Sequence, residues 1–327
     1  MTRYLITGGA GFIGSNFIKY MLDKYKDNYF VCLDSLTYAS SIDALDEVIN
    51  NKNFKFVLGD ICDIELVDKL FKEEKFDYVI NFAAESHVDR SFLYEDLFYK
   101  TNVLGVKVLL DASIKYGVKR FHQVSTDEVY GELELTDAKS FKEDYPLNPT
   151  TPYSKSKAEA DKLVLKYFNN DNLDITISRS SNNYGIYQHP EKLIPKVIKM
   201  ALNKEKITVY GDGTNIRDWI YALDHCYAID MILHFGKKGE IYNVGVNNEI
   251  ANIDIIKLIL KQLDIDEYEM IFVNNRIHDD KRYALNCDKI NNELSIYFNT
   301  DFNETFNNTI LWYKENIDWI KNKLSKY

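Results

Sequence analysis

The sequence has no run of the roughly eighteen apolar residues that a membrane span requires. It has no low-complexity linker and no internal repeat, which excludes a solenoid or an array of small modules. Its four cysteines (Cys32, Cys62, Cys226 and Cys287) lie far apart without a C-x-x-C pair. They read as reduced thiols, and structural disulfides are not expected. The six histidines show no metal-ligand spacing, so no metal is expected. Positive charge is the scarcer sign: 40 Lys and Arg against 50 Asp and Glu give a net charge of −10. That balance argues against nucleic-acid binding and against docking on an anionic membrane. It leaves open an anionic small molecule held in a locally basic pocket. No charged leader or cleavage site precedes the first apolar run, Tyr4-Leu5-Ile6, so a signal peptide is not expected and the chain reads as cytoplasmic. In that setting the sequons at Asn303-Glu304-Thr305 and Asn307-Asn308-Thr309 are chance matches.

What is present is an ordinary globular composition over 327 residues, 46% hydrophobic and 28% charged. The length suits two domains, or one large domain with an elaborated second lobe. Short β-rich runs occur at Tyr4–Thr7, Phe30–Asp34, Phe54–Leu58, Tyr78–Phe82, Phe121–Ser125 and Ile175–Arg179. Between most of them lie stretches at helical spacing, such as Phe12–Tyr25, Leu66–Glu74 and Leu97–Tyr116. This alternation predicts an α/β fold, a Rossmann-like doubly wound parallel sheet with helices on both faces. Past about residue 180 the rhythm breaks. A loop over Tyr184–Pro195 leads to a helix near Lys196–Asn203, and a helix near Asp224–Phe235 precedes a strand at Ile241–Val244 that could rejoin the sheet. The rest, ending in an amphipathic helix through Trp312 and Trp319, reads as a smaller C-terminal α/β lobe. The expected division is 1–180 plus about 215–247 for a cofactor-binding domain, and about 181–214 with 248–327 for a substrate lobe.

Gly8-Gly9-Ala10-Gly11-Phe12-Ile13-Gly14 sits between the first strand and the first helix. Gly9, Gly11 and Gly14 satisfy G-x-G-x-x-G, and Gly8, Gly11 and Gly14 satisfy G-x-x-G-x-x-G. Glycine serves there for a tight turn, for close approach to a pyrophosphate and for helix-on-strand packing. Free N–H groups at the helix start would hold the phosphates. Asp34 follows Gly14 by 34 − 14 = 20 residues at the end of the second strand, where a carboxylate bonds ribose hydroxyls and repels a 2′-phosphate. NAD is therefore expected over NADP. Asp60-Ile61, after the third strand, is placed to reach the adenine, although a solvated turn carboxylate reads equally well.

Tyr153 and Lys157 stand at i and i+4, on one helical face. A phenol is a weak base at neutral pH, and a neighbouring ammonium would lower its pKa. Alone such a pair means little. It gains weight downstream of a dinucleotide fingerprint and after Ser125-Thr126 at the end of the fifth strand.

This combination resembles the extended short-chain dehydrogenase/reductases that act on nucleotide sugars, over most of the chain. Ala83-Ala84-Glu85-Ser86-His87, Ser125-Thr126-Asp127-Glu128, Ser181-Asn182-Asn183-Tyr184-Gly185, Pro190-Glu191-Lys192-Leu193-Ile194-Pro195 and Ile216-Arg217-Asp218-Trp219 are similar to the dTDP-glucose 4,6-dehydratases. The adjacent Asp-Glu pair is the most telling element. The resemblance implies that Tyr153 takes the 4-hydroxyl proton while hydride leaves carbon 4 for NAD, with Thr126 orienting that hydroxyl. Glu128 then removes the acidified hydrogen on carbon 5, Asp127 protonates the departing 6-hydroxyl, and hydride returns to carbon 6. Neighbouring carboxyls can divide base and acid roles when their environments separate their pKa values.

By the same resemblance, Thr37, Ala83, Ala84, Ser86 and Asn182 would complete the cofactor pocket with Phe12 and Ile13. Ser86, His87 and Asn182 would help line the cofactor and sugar pocket with Thr126, and Asn183 and Arg217 would hold the diphosphate, with Lys192 nearby and Tyr283 at the far side; Arg217, Arg276 and Lys192 are the candidate cations for its charge. A homodimer pairing the Leu97–Tyr116 and Tyr153–Phe168 helices is also implied, although packing on the sheet explains such helices equally well. The chain departs from the family in Arg276-Ile277-His278-Asp279-Asp280-Lys281-Arg282-Tyr283, where a Pro-Gly turn and the following histidine are lost, and at Ile186. A nucleotide-sugar 4-epimerase, a dehydratase for UDP-glucose, and a silent NAD-binding protein remain the alternatives.

Overall fold

The computed structural model describes residues 1–266, 268–275 and 280–325. Arg276 and the departure at Ile277-His278-Asp279 lie outside the described residues. The strands are β1 (Arg3–Thr7), β2 (Tyr29–Asp34), β3 (Phe54–Leu58), β4 (Tyr78–Asn81), β5 (Arg120–Thr126), β6 (Ile175–Ser180), β7 (Asn182–Tyr184), β8 (Ile207–Tyr210), β9 (Ile216–Tyr221), β10 (Glu240–Val244), β11 (Glu249–Ala251) and β12 (Met270–Val273). Seven of them form one parallel sheet in the order β10-β6-β5-β4-β1-β2-β3. The Ile241–Val244 run thus does rejoin the first sheet, beside β6.

The helices are α1 (Phe12–Lys24), α2 (Ile64–Glu74), α3 (Val88–Leu93), α4 (Glu95–Tyr99), α5 (Val106–Tyr116), α6 (Pro152–Asp171), α7 (Leu193–Leu202), α8 (Ala222–Phe235), α9 (Asn252–Gln262), α10 (Asp288–Leu294), α11 (Phe302–Glu315) and α12 (Ile317–Ser325). Strand side chains alternate between two apolar layers, as a period of two demands. Leu5, Val31, Leu33 and Val79 pack with α2, α5 and α6, while Tyr4, Ile6, Phe30, Cys32 and Ile80 pack with α1 and α8. Burial on both faces explains why the strands read as nearly continuous apolar runs.

Three elements differ from the expected ones. The Leu97–Tyr116 helix contains a wide i→i+5 turn over Lys100–Gly105. There Asn102 turns inward, exchanging hydrogen bonds with the Glu85 backbone at 2.8 and 3.0 Å and donating to Ser156 Oγ at 2.8 Å. Helix α7 starts at Leu193, before Pro195, because an N–H in the first turn has no intrahelical partner to lose. The terminal helix is two helices, broken at Asn316, whose amide donates back to the Trp312 carbonyl at 2.8 Å.

Helix α6 is held at both levels that matter for what it carries. Thr151 and Ser154 form a reciprocal capping box with Pro152 at the first helical position. Further along, Asp161 Oδ2 accepts from Arg179 Nε of β6 at 2.9 Å, with both side chains buried. A second core joins α7, α9, α11, β8 and Trp219, alongside the β11-β9-β7 and β12-β8 sheets. Among the described residues no helix is long and apolar enough to cross a membrane, and no cluster of side chains could hold a metal.

His122, in the middle of β5, is fully buried between Thr176 Oγ1 at 2.9 Å and Ser178 Oγ at 3.1 Å. Burial, with His225 and Arg120 nearby, pulls its pKa down to about 3, so it is neutral in the fold. The unfolded chain takes up a proton near pH 6.5 that the folded chain refuses. The stability this residue contributes is therefore complete above that pH and is lost as pH falls from 6.5 towards 3. His122→Gln should flatten the slope of urea-derived stability between pH 6 and pH 4 by about 1.4 kcal/mol per pH unit. An unchanged slope would show that the imidazole is charged inside the sheet.

Candidate active site

Strand connections leave β1 in opposite directions, one towards β2 and β3 and the other towards β4, β5 and β6. Reversal of this kind opens a crevice at the carboxyl ends of the strands. A cavity of about 420 Å³ occupies it. Its lining comes from successive strand ends: Gly8 to Gly14 after β1, Asp34 to Ser40 after β2, Gly59 to Ile61 after β3, Phe82 to Ser86 after β4, Val124 to Glu128 after β5 and Ser180 to Asn183 after β6. Tyr153 and Lys157 of α6 complete it.

The glycine turn is built for something to lie close against it. Gly8 has φ +66, and a Cβ on it would stand 2.5 Å from Ala83 N. A Cβ on Gly14 would stand 2.4 Å from the Gly8 carbonyl, so the first turn of α1 can seat only without one. Gly11 caps α1 with no side-chain hydrogen bond, which leaves the N–H groups of the first turn to the cavity. Asp34 is buried, with its carboxylate accepting from Ala10 N at 2.9 Å and Leu36 N at 2.8 Å. Burial raises its pKa and these bonds oppose the rise. Asp60 is half-buried, its Oδ1 held by Cys62 N at 2.9 Å and its Oδ2 3.9 Å from Lys100 Nζ. Thr37, Ile61, Ala83, Ala84 and Ser86 line the same cavity, as do Phe12 and Ile13. These residues fit a dinucleotide.

Thr126, Asp127, Glu128 and Tyr153 meet at the far end. Thr126 ends β5, and its hydroxyl oxygen accepts from Glu128 N at 3.3 Å, starting the short turn that carries the two carboxyls. The same hydroxyl donates to Asp127 Oδ1 at 3.2 Å. Asp127 is buried and its Oδ2 has no hydrogen-bond partner among the described residues. Burial, then the charge of Glu128, raises its pKa well above the usual carboxylate range. Both causes favour the protonated form of Asp127.

The tyrosine and lysine stand differently from the simple expectation. Burial and the carboxylates of Glu128 and Asp127 push the Tyr153 phenol up, and only its hydrogen bond with Thr126 pulls it down. Lys157 Nζ donates to the Val124 carbonyl at 2.7 Å, and burial lowers its pKa to about 8, with Asp161 resisting. In this arrangement the ammonium is fastened to the end of β5, and the phenol is protonated at neutral pH.

A second cavity, about 190 Å³, adjoins the first and shares Glu128, Asn182, Gln188, Glu191 and Lys192 with it. His87, Lys192, Arg217 and Tyr283 line it as expected. Arg217 lies over the Tyr283 ring at 4.6 Å and donates to the Asp280 carbonyl at 2.8 Å; Lys192 donates to the Ser86 carbonyl at 3.1 Å. The Tyr283 hydroxyl donates to Asp280. Asn182 lines the first cavity as expected and reaches the second as well, whereas Asn183 stands differently from the expectation. Asn183 lines only the first cavity, its amide donating to the Ser181 carbonyl and Ser180 Oγ and its oxygen facing His225 Nδ1. Asn182 lines both cavities, and its Oδ1 has no partner within the protein. Neighbours in an extended strand point to opposite sides, so only one can face the second cavity. Sequence reasoning missed Glu85, Thr101 and Gln188 in the first cavity, and Lys196, Tyr210, Asn252 and Asp280 in the second. Gln188 and Lys196 flank the quoted Pro190–Pro195 motif, and Asp280 sits three residues before Tyr283. Thr101 becomes adjacent only through the wide turn.

The sequence model of the GDP-mannose 4,6 dehydratase family matches residues 5–309. The low-salt glycan biosynthesis protein Agl12 of Haloferax volcanii is 50% identical over 87% of this chain and 90% of its own. The dTDP-glucose 4,6-dehydratase of Streptomyces antibioticus is 42% identical over 96% of this chain and 93% of its own. The crystal structure of the dTDP-glucose 4,6-dehydratase of Bacillus anthracis in complex with NAD superposes with a TM-score of 0.92 at 41% identity, covering 99% of this chain and 100% of that one. With its adjacent carboxyls, its glycine turn and this likeness over nearly its full length, the chain belongs to the GDP-mannose 4,6 dehydratase family and groups within it with the dTDP-glucose 4,6-dehydratases.

Proposed function

We propose that the protein is a hydro-lyase that converts dTDP-glucose to its 4-keto-6-deoxy product with bound NAD. One observation carries the reading. A buried carboxyl with one oxygen unpartnered among the described residues and surroundings that favour its protonated form (Asp127) stands next to a half-buried carboxyl (Glu128) in the crevice that also holds Tyr153 and the glycine turn. A 4-epimerase has no use for an acid beside a base at that point, because it loses no water.

Bound NAD supplies the hydride acceptor for carbon 4, the donor for carbon 6 and, when oxidised, positive charge. Added positive charge from the oxidised cofactor, with the Lys157 ammonium behind it, would favour loss of the resting Tyr153 phenol proton to solvent, and the phenolate then receives the 4-hydroxyl proton, with Thr126 orienting that hydroxyl. Glu128 takes the proton from carbon 5, and Asp127 gives its proton to the 6-hydroxyl, which leaves as water; once carbon 6 has its hydride, the proton held by Glu128 returns to carbon 5. Lys157, held on Val124, keeps a cation behind the tyrosine while it is protonated. Arg217, Lys192 and Tyr283 hold the diphosphate end. We assign residues 1–180 with about 215–247 to the NAD-binding domain and about 181–214 with 248–327 to the nucleotide-sugar lobe; most of the dinucleotide groove is lined from the 1–180 stretch, while Arg217 and Trp219 line the second cavity. Four free thiols among the described residues support a cytoplasmic place for this reaction.

We also assign a homodimer to the chain. Leu93, Tyr94, Leu97, Tyr99 and Leu104 of α3, α4 and the wide turn are exposed apolar side chains. Together they make an apolar face, the kind that a partner covers. Light scattering should give twice the chain mass, and Leu104→Lys should shift it towards the monomer; a monomeric parent would contradict the assignment.

Incubation with dTDP-glucose and UDP-glucose in parallel, read by mass spectrometry, tests the activity. Loss of one water from dTDP-glucose is expected, and an unchanged product mass would select epimerisation. In the same assay Glu128→Gln should slow water loss by at least about 10²-fold, while cofactor reduction is still visible by absorbance. Normal dehydration by that variant would overturn its role as base.

A further inference from the structure

We propose that Asp280 is a positioning residue that couples the diphosphate end of the second cavity to the start of α6, an inference that rests on the dehydratase reading above. Asp280 is 7% exposed and lines that cavity. Two hydroxyls converge on its carboxylate from different parts of the fold. The Thr150 hydroxyl lies 3.2 Å from Oδ1 and 3.0 Å from Oδ2 and shares its one proton between them. The Tyr283 hydroxyl donates to Oδ2. The Asp280 backbone carbonyl takes two more donors, Arg217 at 2.8 Å and Asn215 Nδ2 at 3.2 Å.

These partners face two different tasks. Arg217 and Tyr283 lie one over the other and are the groups assigned to the diphosphate. Thr150 lines neither cavity; it stands one residue before the cap of α6 and three before Tyr153. The capping box bonds Thr151 to Ser154, which shapes the helix start but does not fasten it to the substrate side. The Thr150–Asp280 bond makes that connection, between residues 130 positions apart.

A carboxylate suits this joint because it only accepts. Asparagine in its place would turn an amide N–H towards one of the two hydroxyls, and one bond would be lost. A nucleotide drawn onto Arg217 and Tyr283 thereby bears on the residue that holds the first turn of α6, where Tyr153 sits. Binding at the unreactive end of the substrate is in this way used for alignment at the sugar. Such energy appears in kcat more than in KM.

The test measures dehydration of dTDP-glucose, calorimetric affinity for dTDP and melting temperature together on Thr150→Val and Thr150→Ser. Thr150→Val keeps the shape and removes the hydroxyl. It should lower kcat about tenfold, the effect of losing one hydrogen bond to a charged group, at unchanged dTDP affinity and melting temperature. Thr150→Ser should restore the parent kcat. Asp280→Asn should lower kcat as well, and adding Thr150→Val to it should cost little more, because both break the same bond. Thr150→Ala takes the place of Thr150→Val if the latter does not fold. An unchanged kcat overturns the coupling, as do weaker dTDP binding at full kcat, a kcat loss matched by a fall in melting temperature, failure of Thr150→Ser to restore it, and additive losses in the double variant. A parent chain that leaves dTDP-glucose intact removes the functional reading and the coupling together, whereas an active parent matched by Thr150→Val removes the coupling alone.

Discussion

Two carboxyl groups on consecutive residues cannot both carry charge in a dry crevice. Unit charges about 4 Å apart repel by about 4 kcal/mol at an effective dielectric of 20, which corresponds to about three pKa units. In this protein the conflict is resolved by depth: Asp127 is buried with one oxygen unpartnered, and Glu128 is half-buried at the boundary of two cavities. Burial and the neighbouring charge both act to keep the proton on Asp127. In the proposed elimination that ordering would tell the acid from the base before any substrate arrives.

The rest of the architecture keeps that pair in register with a cofactor groove. Parallel strands that depart from β1 in both directions put the glycine turn, Asp34 and the β5 end on one edge of the sheet. Helix α6 must then bring Tyr153 and Lys157 down onto that edge. The capping box at Thr151 fixes where it starts, and the buried Arg179–Asp161 pair fixes its distance from β6. Lys157 spends one donor on the Val124 carbonyl, two residues before Thr126, which ties the helix to the strand end itself. The phenol at this meeting point is a poor base without added positive charge, because burial and then the neighbouring Glu128 and Asp127 side chains oppose its ionisation.

Much of this was legible in the amino-acid order, for physical reasons that can be named. A glycine that must have φ +66 and no Cβ announces itself, and so does an acid twenty residues beyond the turn. Strands buried on both faces read as continuous apolar runs, and the Asp127-Glu128 pair stands out because adjacent acids at a strand end are costly unless used. Other features had no local signature. The wide turn at Lys100–Gly105 answers to Asn102 finding the Glu85 backbone, a contact made by the fold. Which of Asn182 and Asn183 faces the second cavity depends on how a three-residue strand is rotated. The spacing of Tyr153 and Lys157 shows neither the burial that raises the phenol nor the bond that holds the lysine on the Val124 carbonyl.

The central claim is that Asp127 is a neutral acid at pH 7 beside an ionisable neighbour. Infrared difference spectroscopy between the parent and Asp127→Asn at that pH tests it most directly. The account predicts a protonated-carboxyl stretch in the parent that is absent from the variant. A difference spectrum showing instead the loss of an ionised carboxylate would contradict it.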